Sequence, residues 1–114
     1  MKLADLLKAA RSKIDAPEKW TRECYARGED GFYADMHGAD AVCFCAMGAV
    51  RSLIPNSPSA WFVGDYVRNF INNHLPEGYR SIPAFNDNLD TTHADVLALF
   101  DRAIAAAEQE VLSV

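Results

Sequence analysis

Ala41-Val42-Cys43-Phe44-Cys45-Ala46-Met47-Gly48-Ala49-Val50 runs without a single charge, in a chain where charged residues make up 24%. A surface helix keeps one polar face, so a segment apolar all round predicts a helix enclosed by its neighbours. Asp40 precedes it as the expected N-cap, with a charge suited to the positive end of the helix. Arg51 and Ser52 mark a return to solvent, and Pro55 cannot continue the hydrogen-bond ladder. The reading is a buried central helix over 41–54, in which Gly48 admits another element at close range.

Amphipathic segments flank this one on both sides. Leu3, Leu6, Leu7, Ala10 and Ile14 fall on one stripe of a first helix, which Pro17 stops and which Pro17-Glu18-Lys19-Trp20 follows with one further turn. Ser57-Pro58 opens another helix, with Val63, Tyr66, Val67, Phe70 and Ile71 facing inward. Asp65, Arg68, Asn69, Asn72 and Asn73 form its wet side, and Pro76 and Gly78 close it. Thr92-x-x-Asp95 has the form of a capping box. The last helix runs from His93 to Leu112, roughly 30 Å at 1.5 Å per residue. Val96, Phe100, Ala103, Ala107 and Val111 make its apolar stripe, with Leu97 and Ile104 beside it.

Two stretches lack the helical period. Cys24-Tyr25-Ala26 and Phe32-Tyr33-Ala34 flank the turn-rich Arg27-Gly28-Glu29-Asp30-Gly31, which predicts a small β-hairpin near 24–34. A lone hairpin is marginal in water, so it must lie on the helices. Ile82-Pro83-Ala84-Phe85 reads as a short extended piece entering a turn at Asn86-Asp87-Asn88. The expected fold is mainly α, a compact bundle of about four to five helices around the buried 41–54 helix. Residues 1–114 form a single domain on this reading.

Composition narrows the function classes. Against 16 Asp+Glu stand 11 Lys+Arg, a formal net charge of -5, which disfavours a nucleic-acid partner that would need a clustered basic face. No stretch approaches the ~18 apolar residues of a membrane span. The opening Met1-Lys2-Leu3-Ala4-Asp5 has no apolar h-region, so a cytoplasmic location is expected. Three cysteines are an odd count and do not suggest a disulfide framework.

Three constellations could carry chemistry. With Asp40 as N-cap, Cys43 would lie in the first helical turn, where the dipole favours a thiolate. Cys43 or Cys45, joined by His93 and an orienting Asn86 or Asp87, would have the composition of a Cys-His-Asn hydrolase or transferase site. The alternative is that these cysteines act as small buried hydrophobes, as free cysteine commonly does. A metal site is not expected: residues two apart on a helix lie ~200° apart around its axis, and His37, His74 and His93 are scattered. No cofactor pattern is present either. Asn86, Asp87, Thr92 and His93 form a second set at the entrance to the last helix, where free amides could hold a small ligand or an anion. Capping alone would also account for them. Third, Trp20, Tyr25, Phe32, Tyr33, Trp61 and Phe62 exceed what one small core needs, and adjacent Trp61 and Phe62 cannot both face the same core. That surplus suggests an interface.

Trp20 with Tyr25-Ala26-Arg27, the 41–49 block, Asn86-Asp87 and Thr92-His93-Ala94-Asp95-Val96-Leu97 together resemble a family of small uncharacterised bacterial and phage proteins. Its recurring elements are a Cys-Trp-Cys-Ala-x-Gly-Ala block and a later Asn-Asp…Thr-His block. Phe44 stands here where Trp is usual, an exchange that suggests packing. The resemblance implies a domain of unknown function and carries over no catalytic residues. The favoured functional reading is therefore a non-enzymatic interaction or regulatory protein, acting through a protein partner or as a homodimer. The alternatives are the cysteine-dependent enzyme and the ligand or anion site at the last helix.

Overall fold

A computed structural model describes residues 2–112, with side chains through Gln109. The fold is mainly α. Helix α1 spans Leu3–Lys13, α2 Ala46–Arg51, α3 Trp61–Asn72, α4 Ile82–Asp87 and α5 His93–Leu112. A two-stranded antiparallel sheet pairs β1, Ala26–Arg27, with β2, Cys43–Phe44. Single 3-10 turns at Pro17–Lys19 and Pro58–Ala60 each begin on a proline at the first helical position, where the missing N–H costs nothing.

Helices α1 and α5 form the main pair of the bundle. The predicted α1 stripe is inside: Leu6, Leu7, Ala10 and Ile14 are all buried. It meets Val96, Phe100, Ala103 and Ala107 of α5, together with Leu99, which the predicted stripe omits. The side chain of Val111 lies outside the described residues. Ion pairs Lys8–Glu108 at 2.9 Å and Arg11–Asp101 at 2.7 Å seam the rim of this pair. Exposed pairs of this kind add little, so apolar burial holds α1 on α5. The capping box forms as the sequence predicts. The Asp95 amide donates to Thr92 Oγ1 at 3.1 Å, and the Thr92 amide donates to Asp95 at 3.0 Å.

The central helix is buried but shorter than the 41–54 prediction. Ala46 to Val50 are all buried, with α1, α3 and α4 around them. Its first residue is Ala46, and the N-cap is Cys45 rather than Asp40. The backbone amides just before it are drawn into a sheet instead. Val42 N–H donates to Arg27 O at 2.9 Å and Cys45 N–H to Tyr25 O at 3.2 Å. Val42 and Phe44 suit a strand, being β-branched and aromatic, and this pairing overrides the all-apolar helical reading of 41–45. Cys43 consequently belongs to β2 and not to a first helical turn. Beyond Arg51, Leu53 and Ile54 continue for one tighter turn, donating to Val50 and Arg51 carbonyls.

The hairpin near 24–34 is present in outline. Arg27 bridges Tyr33 in antiparallel fashion, and the Gly28 amide donates to Phe32 O at 3.0 Å. Its first strand, however, makes its main pairing with Cys43–Phe44, which anchors the hairpin on the core as a lone hairpin requires. The extended reading of 82–85 gives way to helix α4. Ser81 caps it, accepting the Ala84 amide at 3.2 Å, and Pro83 sits in the first turn. On α3 the inward face is rotated from the predicted one. Gly64, Val67 and Ile71 are buried, whereas Tyr66 is 58% exposed. Arg51 lies directly over Gly64, where a Cβ would meet its Nη1 at 2.3 Å, and reaches Asp65 at 3.2 Å. The bare glycine thus makes the Arg51 side inward and turns Tyr66 out. Among the described residues no helix is long and apolar enough to cross a membrane.

Candidate functional site

The N-terminus of α2 is the point where the chain's distant segments meet. Asn86 is 1% exposed and lies one residue from the end of α4. Its Oδ1 accepts from Trp20 Nε1 at 2.8 Å and from the Ala46 amide at 3.0 Å. Its Nδ2 donates to Thr21 O at 3.1 Å and to Asp87 Oδ1 at 3.0 Å. A carboxamide offers two donors and two acceptor lone pairs, so every hydrogen-bonding position of this side chain is filled from inside the protein. One of its partners, the Ala46 amide, is an orphan donor of the α2 first turn. Asn86 therefore knots α4, the Trp20–Thr21 segment and the start of α2.

Cys45 completes the same knot. Its side chain caps α2, the sulfur accepting the Gly48 amide at 3.2 Å. Gly48 faces Tyr25 so closely that a Cβ would lie 1.9 Å from its carbonyl oxygen, which fixes glycine at that position. Burial pushes the Cys45 thiol up to about 11; Asp87 and Cys24 nearby add to the rise, and the Gly48 and Met47 amides oppose it. The helix-end environment favours a thiolate, but desolvation outweighs it here.

Beside this knot lies a cleft of about 250 Å³. Cys24, Cys45, Asn86 and Asp87 line it, along with the exposed Glu23, Tyr25 and Pro83 and the buried Met47 and Ile82. Glu23 has φ 73, a left-handed conformation that costs a non-glycine residue on the order of 1 kcal/mol. Its amide is turned onto Asp87 Oδ1 at 2.8 Å, which holds the bend. Cys24 Sγ donates to Ala26 O at 3.3 Å.

The residues singled out in sequence thus divide. Cys45, Asn86 and Asp87 come together in the cleft. Cys43, Thr92 and His93 are not among its lining residues. His93 Nε2 donates to the Ile14 carbonyl, and the imidazole packs on Trp20 with centroids 5.9 Å apart. It reaches the Asn86 knot through that indole. Thr92 is occupied in the capping box. His37 Nε2 lies 2.9 Å from Arg51 O and 2.8 Å from Ile54 O, closing the carbonyl end of α2. Among the described residues no group of three His, Cys, Asp or Glu side chains is placed to hold a metal ion. Sequence reading missed Glu23 and Cys24 as cleft residues. Only the turn-rich context hinted at them, because the left-handed bend at Glu23 depends on a carboxylate far along the chain.

The aromatic surplus is resolved on the outside of the molecule. Trp61 is 59% exposed and Phe62 69%. Phe62, Tyr66 and Phe70 recur at i, i+4 and i+8 along α3, with Phe70 half-buried against the core. Phe32 and Tyr33 are exposed on the 28–34 turn, where Arg27 sits 5.3 Å above the Tyr33 ring.

No match is found among curated proteins or among solved structures. Residues 1–106 match a family of unknown function, DUF6197, and the chain belongs to that family.

Proposed function

We propose that this chain is a non-enzymatic interaction protein whose working surface is the outer face of α3, and that a second copy of the chain is its simplest occupant. The observation that carries this is the exposure of Trp61, Phe62 and Tyr66, each more than half open to solvent within six residues of one helix. Aromatic side chains of this kind cover about 150–250 Å² each, so three together approach the largest apolar patch a monomer ordinarily tolerates. Phe62, Tyr66 and Phe70 form an i±4 ridge, the element that helices interdigitate when they pack. Asp65 and Arg68 flank the ridge with opposite charges, 3.6 Å apart. A two-fold axis through α3 would set each near its complement on the second copy.

The states of Cys45, His93 and Asn86 support a non-enzymatic reading over a cysteine enzyme. A nucleophilic cysteine works as the thiolate, whereas burial holds Cys45 protonated up to about pH 11. His93 spends Nε2 on the Ile14 carbonyl, and Asn86 has no free hydrogen-bonding position to orient a base. Against anion binding, the cleft beside Asn86 is lined by the carboxylates of Asp87 and Glu23, which repel an anion.

Sedimentation velocity over a concentration series tests the proposal. The wild-type chain is expected to pass from monomer to dimer, and the double variant Trp61→Ser, Phe62→Ser to remain monomeric with an unchanged far-UV circular dichroism spectrum. Identical sedimentation of the two proteins would overturn it.

A further inference from the structure

The α3 face leaves the cleft beside Asn86 unexplained, and the cleft has the make-up of a site. Its volume of about 250 Å³ is near the lower end for small-molecule pockets. Met47 and Ile82 give it a buried apolar wall, which the exposed Pro83 extends outward, and the half-exposed Tyr25 ring lines it too. The carboxylate side chains lining it are those of Glu23 and Asp87, and no lysine, arginine or histidine is among the lining residues. Asp87 commits only Oδ1 to the protein, to the Glu23 amide and Asn86 Nδ2. Among the described residues Oδ2 has no hydrogen-bond partner. Glu23 adds a second carboxylate to the lining.

We infer that this cleft binds a small organic ammonium ion, whose N–H groups reach Asp87 Oδ2 and whose apolar part lies against Met47, Ile82 and Pro83. An anion would meet two carboxylates. A bare metal ion would lack a third ligand, since no such group exists among the described residues. An ammonium carried on an apolar body satisfies both halves of the cleft: a charge-assisted hydrogen bond to the carboxylate and a cation placed near the Tyr25 ring. Glu23 and the net charge of -5 add longer-range attraction for a cation. This inference is independent of the α3 surface.

The test is a titration of the ¹⁵N-labelled chain with 2-phenylethylamine at pH 7, followed by amide shifts, with 2-phenylethanol and 3-phenylpropionate as controls of similar shape. Saturable shifts are expected at the amides of 22–25, 46–48 and 84–87. The alcohol should bind about tenfold more weakly, the cost of losing one charged hydrogen bond, and the carboxylate more weakly still. Asp87→Asn keeps an oxygen for the Glu23 amide but removes the charge, and should weaken the amine about tenfold without changing the alcohol. Glu23→Gln, which leaves the backbone knot untouched, should weaken the amine by a smaller factor. Equal binding of amine and alcohol would overturn the inference. So would unchanged amine binding in both variants, or no saturable shift of cleft amides at amine concentrations up to about 10 mM, a limit beyond which affinity is negligible.

Discussion

The Asn86 knot and the outer face of α3 use their side chains in opposite ways. At the knot, a buried carboxamide has all its hydrogen-bonding positions filled by four partners, three of them from two distant parts of the chain and the fourth its neighbour Asp87. On α3, three large aromatic side chains stand more than half exposed. A polar residue whose every bond is satisfied internally has nothing left for a substrate. An apolar residue left in water has its burial still to gain. Asn86 therefore has its bonding committed to the fold, whereas Trp61, Phe62 and Tyr66 keep apolar surface open to solvent.

The sharpest way to break the knot is at its closest approach. Gly48→Ala would drive a methyl group into the Tyr25 carbonyl at 1.9 Å, and backbone on both sides would have to move. The expected loss exceeds about 4 kcal/mol, in the range reserved for overpacking at fixed backbone, and chemical denaturation should find the variant largely unfolded. Asn86→Ala comes next. It strands the Trp20 indole N–H, the Ala46 amide and the Thr21 carbonyl, and at about 1–3 kcal/mol for a buried group left unpaired it should lower the denaturation midpoint strongly. A stable Asn86→Ala protein with altered ligand binding alone would reverse the structural assignment.

Cys45 sharpens the comparison through pH. The folded state holds its thiol protonated up to about 11, above the ordinary value of 9.0. Between those values the unfolded chain has released the proton and the folded chain has not, so stability falls as pH rises. The decline is expected from about pH 9 to about pH 11, on the order of 1–3 kcal/mol, and should be absent in Cys45→Ala. Urea denaturation at several pH values would measure it. A thiol labelled rapidly at pH 7 in the native state would contradict the burial argument. Thr92→Ala should cost about 1 kcal/mol through loss of the α5 cap, seen as a modest fall in Tm. At the bottom of the scale, Trp61→Ser should change monomer stability by no more than about 0.5 kcal/mol, although it removes the largest exposed side chain of α3.

What could be read from the sequence was what neighbours in the chain decide. The α1 stripe, the Pro17 stop and the Thr92–Asp95 box depend on residues within a few positions of each other, and all three form as expected. The start of α2 was misplaced because its cap and its competing strand are settled by Tyr25 and Arg27, and its first amide by Asn86, 40 residues away. Helix α4 was legible in principle, since Ser81 with Pro83 is a start signal, but six residues carry too little periodicity to outweigh its turn-like end. The family resemblance is borne out over residues 1–106. Of the candidate site, Cys45, Asn86 and Asp87 were named in sequence, while Glu23 and Cys24 were not. Their place follows from a left-handed bend held by a side chain 64 residues on.

The outer face of α3 can be tested most directly by placing a photo-crosslinking phenylalanine analogue at position 62 and, in a separate protein, at position 89. Leu89 is 86% exposed but lies off α3, so it controls for exposure alone. Irradiation of the purified chain should give an adduct of twice the chain mass from position 62 and none from position 89. No adduct from position 62, or equal yields from both positions, would contradict the assignment of α3 as the working surface.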